Sequence, residues 1–181
     1  MKVIATVGMP GSGKSEAADV AEEMDVPVVT MGDVIRREVD DRGLEPSDEN
    51  MGAVATELRE EHGMDAVAKK CVGFIQEKDT DVVLVDGVRG WSEVERFRQE
   101  FGEDFILVSI EVPFETRLER ITERGRSDDT SKEKELRMRD EREVGYGMDE
   151  AIEKADVTLE NTEGVQEFRG EVRNLINKQF E

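Results

Sequence analysis

Apolar residues alternate along this chain between two textures. Short β-branched and aliphatic runs stand at residues 2–7, 26–30, 81–87, 105–110 and 156–159. Runs of that length, apolar on both faces, predict strands buried in a parallel sheet. Between them lie longer stretches rich in Ala, Glu, Met and Leu, in which apolar residues are spaced at helical intervals. They predict helices over 15–24, 34–39, 91–101, 113–124 and from Gly164 onward. Residues 51–78 read as helices broken near Gly63, with Val54, Leu58, Val67, Cys71 and Phe74 as their apolar positions. Gly32 marks a break before the helix that begins at Val34, with Asp33 as its cap. Residues 40–50 read as a loop. The stretch 125–150 is densely charged and poor in apolar residues, and predicts a mobile lid rather than core. Neither a repeat nor a linker divides the chain, so one α/β domain with a five-stranded parallel sheet is expected.

The first strand runs into Gly8-Met9-Pro10-Gly11-Ser12-Gly13-Lys14-Ser15. This fits G-x-x-x-x-G-K-[ST], the P-loop pattern, and it stands in the required context of strand, glycine loop and helix. Gly8, Gly11 and Gly13, with Pro10 and Ser12 between them, would bring backbone N–H groups up to phosphate oxygens. The helix N-terminus adds a partial positive charge. Lys14 would reach the outer phosphates, and the Ser15 hydroxyl would ligate Mg²⁺. The expected ligands are ATP and Mg²⁺.

Composition narrows the setting. The chain has 181 residues, 45 acidic against 25 basic, for a net charge of −20. Such a surface repels a phosphate backbone, which disfavours nucleic-acid partners. Of the basic residues 16 are Arg and 9 Lys, and an acidic, lysine-poor surface resembles proteins of salt-loving archaea. No apolar run is long enough to span a membrane, so a cytoplasmic protein is expected. The single cysteine, Cys71, lies in an apolar patch and reads as a buried small hydrophobe. The single histidine, His62, sits among glutamates and reads as exposed and inert.

Two further groups bear on chemistry. Asp86 ends an apolar strand, where a carboxylate can hold a metal's water shell beside Ser15. Arg117, Arg120 and Arg124 share one helical face, and Arg126, Arg137, Arg139 and Arg142 continue the cationic supply. Like charges at that spacing repel unless anions or acidic side chains neutralise them. Phosphoryl transfer needs such charge around the transferring group. A solvated, salt-bridged helix face is the simpler alternative.

Taken with the P-loop, Gly32-Asp33-Val34-Ile35-Arg36, Asp86-Gly87-Val88-Arg89 and Val112-Pro113…Arg120…Arg124 resemble the nucleoside monophosphate kinase family. The resemblance implies a P-loop three-layer sandwich with a helical acceptor-binding region at 31–80 and a lid at 125–150. It implies that Thr30, Arg36 and Arg89 bind a nucleotide-like acceptor. Arg120 and Arg124 would clamp the donor phosphates, while Asn161 and Gly164 would lie by the donor base. Two departures leave the acceptor open: Met31 stands where that family has threonine, and no proline precedes Arg89. Residues 33–39 and 155–161 also resemble dephospho-CoA kinase, in which Asp33 would serve as catalytic base. The combination is similar to an archaeal group of nucleotide-kinase-like ATP-binding proteins. A regulatory NTPase without an acceptor stays open; a GTPase switch does not fit, because no Asn-Lys-x-Asp motif occurs.

Overall fold

The computed structural model describes residues 1–124 and 133–180, without the side chains of Asp48 and Arg124. Its strands are β1 (Lys2–Val7), β2 (Val28–Thr30), β3 (Val82–Val88), β4 (Phe105–Glu111) and β5 (Val157–Glu160). They form one five-stranded sheet in the order β2-β3-β1-β4-β5, and every neighbouring pair is parallel. Side chains alternate across the sheet with the period of a strand. Val3, Ala5 and Val7 of β1 face one core, while Ile4 faces the other. Val83 and Val85 of β3 face the first core, whereas Val82 and Leu84 face the second. Burial on both faces explains why these strands read as unbroken apolar runs.

Helices cover each face. On the first lie α2 (Met31–Asp41), α3 (Asp48–His62), α4 (Ala66–Gln76), α5 (Trp91–Phe101) and α8 (Met148–Glu153). On the second lie α1 (Lys14–Glu23) and α9 (Val165–Asn177). Helix α9 shows the logic: Phe168, Val172 and Ile176, four residues apart, are its buried stripe. Its Arg169 pairs with Glu16 and Glu23 of α1, which ties the two helices along their polar edge. Two more helices, α6 (Phe114–Arg124) and α7 (Glu133–Gly145), lie between β4 and α8 in the chain. Cys71 is fully buried, with its thiol pushed up to about 12 by desolvation, and His62 is exposed. Both match expectation.

Three boundaries differ from the sequence reading. Helix α2 begins at Met31 with Thr30 as its N-cap, so Asp33 lies inside the first turn and is not the cap. The 40–50 loop is shorter, because Ser47 caps α3 by accepting a hydrogen bond from Asn50 N at 3.2 Å. The third difference concerns the expected lid. Residues 125–132 lie outside the described residues, but 133–153 is largely helical and contributes buried side chains. Leu136 and Met148 are fully buried, and Met148 and Ala151 join the first core. The polar sequence of α7 hid this because the helix docks largely through charge pairs rather than an apolar stripe.

The turn after β3 and the turn between α7 and α8 meet backbone to backbone. A Cβ at Gly90 would overlap the Tyr146 carbonyl oxygen, so glycine is required there by close approach. Trp91, next in the chain, packs beside Gly147 and takes the charged groups of Lys154 and Arg98 against its ring at 4.5 and 5.3 Å.

Candidate functional site

All five strands end at one edge of the sheet, where a crevice opens in α/β folds of this kind. A cavity of about 590 Å³ lies there, floored by the P-loop. Gly13 immediately precedes α1 at φ 108°, a left-handed conformation that a side chain would strain. A Cβ there would also overlap the amide of Asn161, which donates from Nδ2 to Ser12 O at 2.9 Å. The β5–α9 connection therefore buttresses the loop. Arg117, buried in α6, supports the loop from another side by donating to Pro10 O at 3.0 Å.

Lys14 is half-buried, not exposed as loop residues usually are. Its Nζ donates to Gly8 O at 2.5 Å and to Met9 O at 3.2 Å. Desolvation pulls its pKa down to about 8, opposed chiefly by the negative charge of Asp86. Asp86, which also lines the cavity, accepts a hydrogen bond from Thr6 Oγ1 at 3.1 Å. Burial pushes its carboxyl up, while Lys14 and the Thr6 hydroxyl act the other way. Ser12 Oγ is buried without a partner. An orphaned hydroxyl, enclosed glycine backbone and a desolvated ammonium fit a polyphosphate, which would satisfy all three.

The donor set also fits Mg²⁺. Ser15, Glu16, Asp19 and Asp86 line the cavity, yet among the described residues no three acidic, histidine or cysteine side chains can hold a metal. A hard cation here would use one or two protein oxygens and complete its shell with phosphate and water, as Mg²⁺ commonly does.

The cavity has two ends. At the β5 end stand Arg120, Asn161, Glu163 and Val165, and Arg120 Nη2 donates to Asn161 O at 2.8 Å. At the β3 end stands Arg89 with Glu143 of α7, and Arg139 and Met148 also line the cavity. Arg89 Nη1 donates to Glu143 Oε1 at 2.5 Å, and its backbone N donates to Glu93 Oε2 at 2.8 Å. Glu93, buried in α5, accepts from Arg59 Nη2 of α3 at 3.1 Å. Its carboxyl is pushed up by desolvation, against the opposing charge of Arg59. A chain of contacts thus links Arg89 through Glu93 to Arg59 of α3.

The structure gathers most, but not all, of the residues singled out from sequence. Gly8, Pro10, Gly11, Ser12, Gly13, Lys14, Ser15, Asp86, Arg89, Arg120 and Asn161 line the cavity. Thr30, Asp33 and Arg36 are not among its lining residues. Asp33 and Arg36 lie one helical turn apart and pair with each other at 2.5 Å on the exposed side of α2. Thr30 is nonetheless the register partner of Asp86 across β2 and β3, so α2 starts beside the cavity rim. Gly164, the N-cap of α9, is not among the lining residues, and a Cβ there would meet the Glu167 carboxylate. The side chain of Arg124, and Arg126 entirely, lie outside the described residues. Arg117 does not offer its charge to the cavity, because Asp140 holds it in two hydrogen bonds of 2.9 and 2.6 Å. Glu143 was missed; its one sequence signal is a place on the same face of α7 as Arg139 and Asp140, four and three residues earlier.

An AAA domain family model matches residues 7–137. A UPF0200 protein of Methanosarcina acetivorans is 58% identical over 98% of this chain and 95% of its own length. A UPF0200 protein of Halobacterium salinarum is 51% identical over 97% of the chain and 93% of its own length. Among solved structures, TT1252 from Thermus thermophilus superposes with a TM-score of 0.68 at 15% identity, covering 98% of this chain and 97% of that one. A shikimate kinase from Aquifex aeolicus gives 0.56 at 18%, covering 97% and 96%. A gluconokinase from Sinorhizobium meliloti gives 0.56 at 16%, covering 99% and 95%. These structural likenesses show a shared fold. The family match over residues 7–137 and the near full-length identities show that the chain belongs to the AAA domain family and, within it, to the archaeal UPF0200 proteins.

Proposed function

We propose that this protein is an ATP-dependent phosphotransferase of the cytoplasm. It moves the γ-phosphoryl group of Mg-ATP onto a nucleoside monophosphate or similar nucleotide acceptor. The observation that carries the reading is one cavity in which arginines from both ends flank the P-loop: Arg120 at one and Arg89 at the other, with Arg139 also in the lining. Four cationic residues meet five acidic ones in that lining, whereas the whole chain has 25 against 45. The cavity is therefore far closer to neutrality than the protein, as a site for two anionic substrates requires.

The residues divide the work. P-loop N–H groups and Lys14 cradle the donor phosphates, and Arg120 with Asn161 borders the donor end. Arg89 holds the acceptor's anionic group. Mg²⁺, held through Ser15 and Asp86, would neutralise charge on the phosphate oxygens. Little covalent chemistry falls to the protein, so positioning and charge stabilisation supply the rate. The shikimate kinase and gluconokinase with this fold support a small-molecule acceptor as the class.

The test is an acceptor screen with Mg-ATP in molar potassium chloride, read as ADP formed. Nucleoside monophosphates should stimulate turnover, and Lys14→Ala should abolish it. Hydrolysis that no acceptor accelerates would leave a regulatory NTPase instead. On the acceptor found, Arg89→Ala should cost more than about a hundredfold in kcat/KM, and Asp33→Asn less than about tenfold. The reverse ranking would favour a hydroxyl-directed kinase with Asp33 as base.

A further inference from the structure

Glu143 is an anomaly in the cavity. It is 6% exposed, and one carboxylate oxygen is engaged by Arg89. The other, Oε2, is buried with no partner although the residue lines the cavity. A desolvated carboxylate oxygen left unpaired is costly, and a donor brought by a ligand removes that cost. The surroundings restrict the donor. Arg89 and Arg139 line the same cavity, and Lys14 is close enough for Glu143 to act on its charge. Arg89 and Lys14 repel an ammonium group, so the fitting donor is neutral. Arg89 is hydrogen-bonded to Glu143, so an anionic group held by that guanidinium lies near Oε2. A hydroxyl close to an anion on the same molecule reaches both.

We propose that Glu143 is a specificity-determining residue. It accepts a hydrogen bond from a ribose-type hydroxyl of the acceptor while Arg89 holds that acceptor's phosphate. The assignment rests on the kinase reading in placing the acceptor at the β3 end. It restricts the acceptor class to nucleotides that carry a free sugar hydroxyl, because a nucleotide without one leaves Oε2 unsatisfied.

Calorimetric binding in molar potassium chloride tests it, with AMP, CMP, GMP and UMP and their 2′,3′-dideoxy counterparts as probes. For at least one base the wild-type protein should bind the ribonucleotide at least about tenfold more tightly, as expected for a hydrogen bond to a charged group. Glu143→Gln should narrow that preference to within about threefold. Equal wild-type affinities, no binding of any probe, or a preference unchanged in Glu143→Gln would overturn the proposal. The wild-type arm decides even if the variant folds poorly. The kinase reading fails separately: ribonucleotide preference in binding with no ADP formed from ATP would remove phosphoryl transfer and leave Glu143 as assigned. ADP formed with equal kcat/KM on both sugar types would do the opposite.

Discussion

Lys14 keeps an ammonium in surroundings that favour its neutral form, with a pKa brought from 10.5 to about 8 by desolvation. Phosphate oxygens would pull that value back up, because they favour the charged state. Nucleotide binding should therefore take up a proton between pH 8 and 10.5. Affinity should be level below pH 8 and fall toward tenfold per unit above it. Calorimetry at pH 9 in buffers of different ionisation enthalpy measures the uptake directly. A pH-independent affinity, or uptake that persists in Lys14→Ala, would place the proton elsewhere. The lysine, the loop and Asp86 were legible in the sequence because the P-loop is contiguous and its acid ends a plainly apolar strand. The contacts that complete the site were not. Asn161 reaches Ser12 across 149 positions, and Arg89 reaches Glu143 across 54. Pairings so distant leave no local pattern. The Asp33 and Arg36 pairing, one turn apart, was readable in principle, but the resemblances assigned Arg36 to the acceptor and Asp33 to catalysis as a base.

Helix α7 owes its place to charge, and this makes a contrast measurable. Arg117 is almost wholly buried, and Asp140 is its bidentate partner. Removing one member of a buried pair leaves an uncompensated charge, at a cost of about 3–5 kcal/mol. Asp140→Ala should therefore lower stability by about 3 kcal/mol, or Tm by roughly 10 °C for a domain of this size. Glu133→Ala, which breaks an exposed pair with Arg137, should change stability by less than about 0.5 kcal/mol. Denaturant titration of both variants in molar potassium chloride checks the ranking. A similar small effect for both would mean that Arg117 finds water or another acceptor. Strands and most helices were predictable to within a few residues, since burial on two faces or along one stripe writes a period into the sequence. Helix α7 writes no such period, with Leu136 and Glu143 its buried residues. Polarity was read as exposure, and the pairing that buries it was invisible.

At the scale of the molecule the governing quantity is the net charge of −20. Ion pairs such as Arg42 with Glu57 and Lys2 with Asp104 are solvent-exposed, and each contributes little to stability. With 45 acidic against 25 basic residues, at least 20 carboxylates have no cationic counterpart in the chain. Self-repulsion must then be screened by salt, whose Debye length falls from about 30 Å at 0.01 M to about 3 Å at 1 M. We expect the thermal midpoint to rise steadily from low to molar potassium chloride. Equal midpoints would remove the inference of adaptation to salt. The chain has one tryptophan, and it lies where α5 begins, against the turn joining α7 to α8. Its ring is flanked by the charged groups of Lys154 and Arg98, and Arg89 is two residues away in the chain. Indole emission responds to nearby charge, so any shift of α7 and α8 against β3 registers in its wavelength and intensity. The protein carries its own optical reporter, and one fluorimeter titration with nucleotide reads the Arg89 end of the cavity without a label.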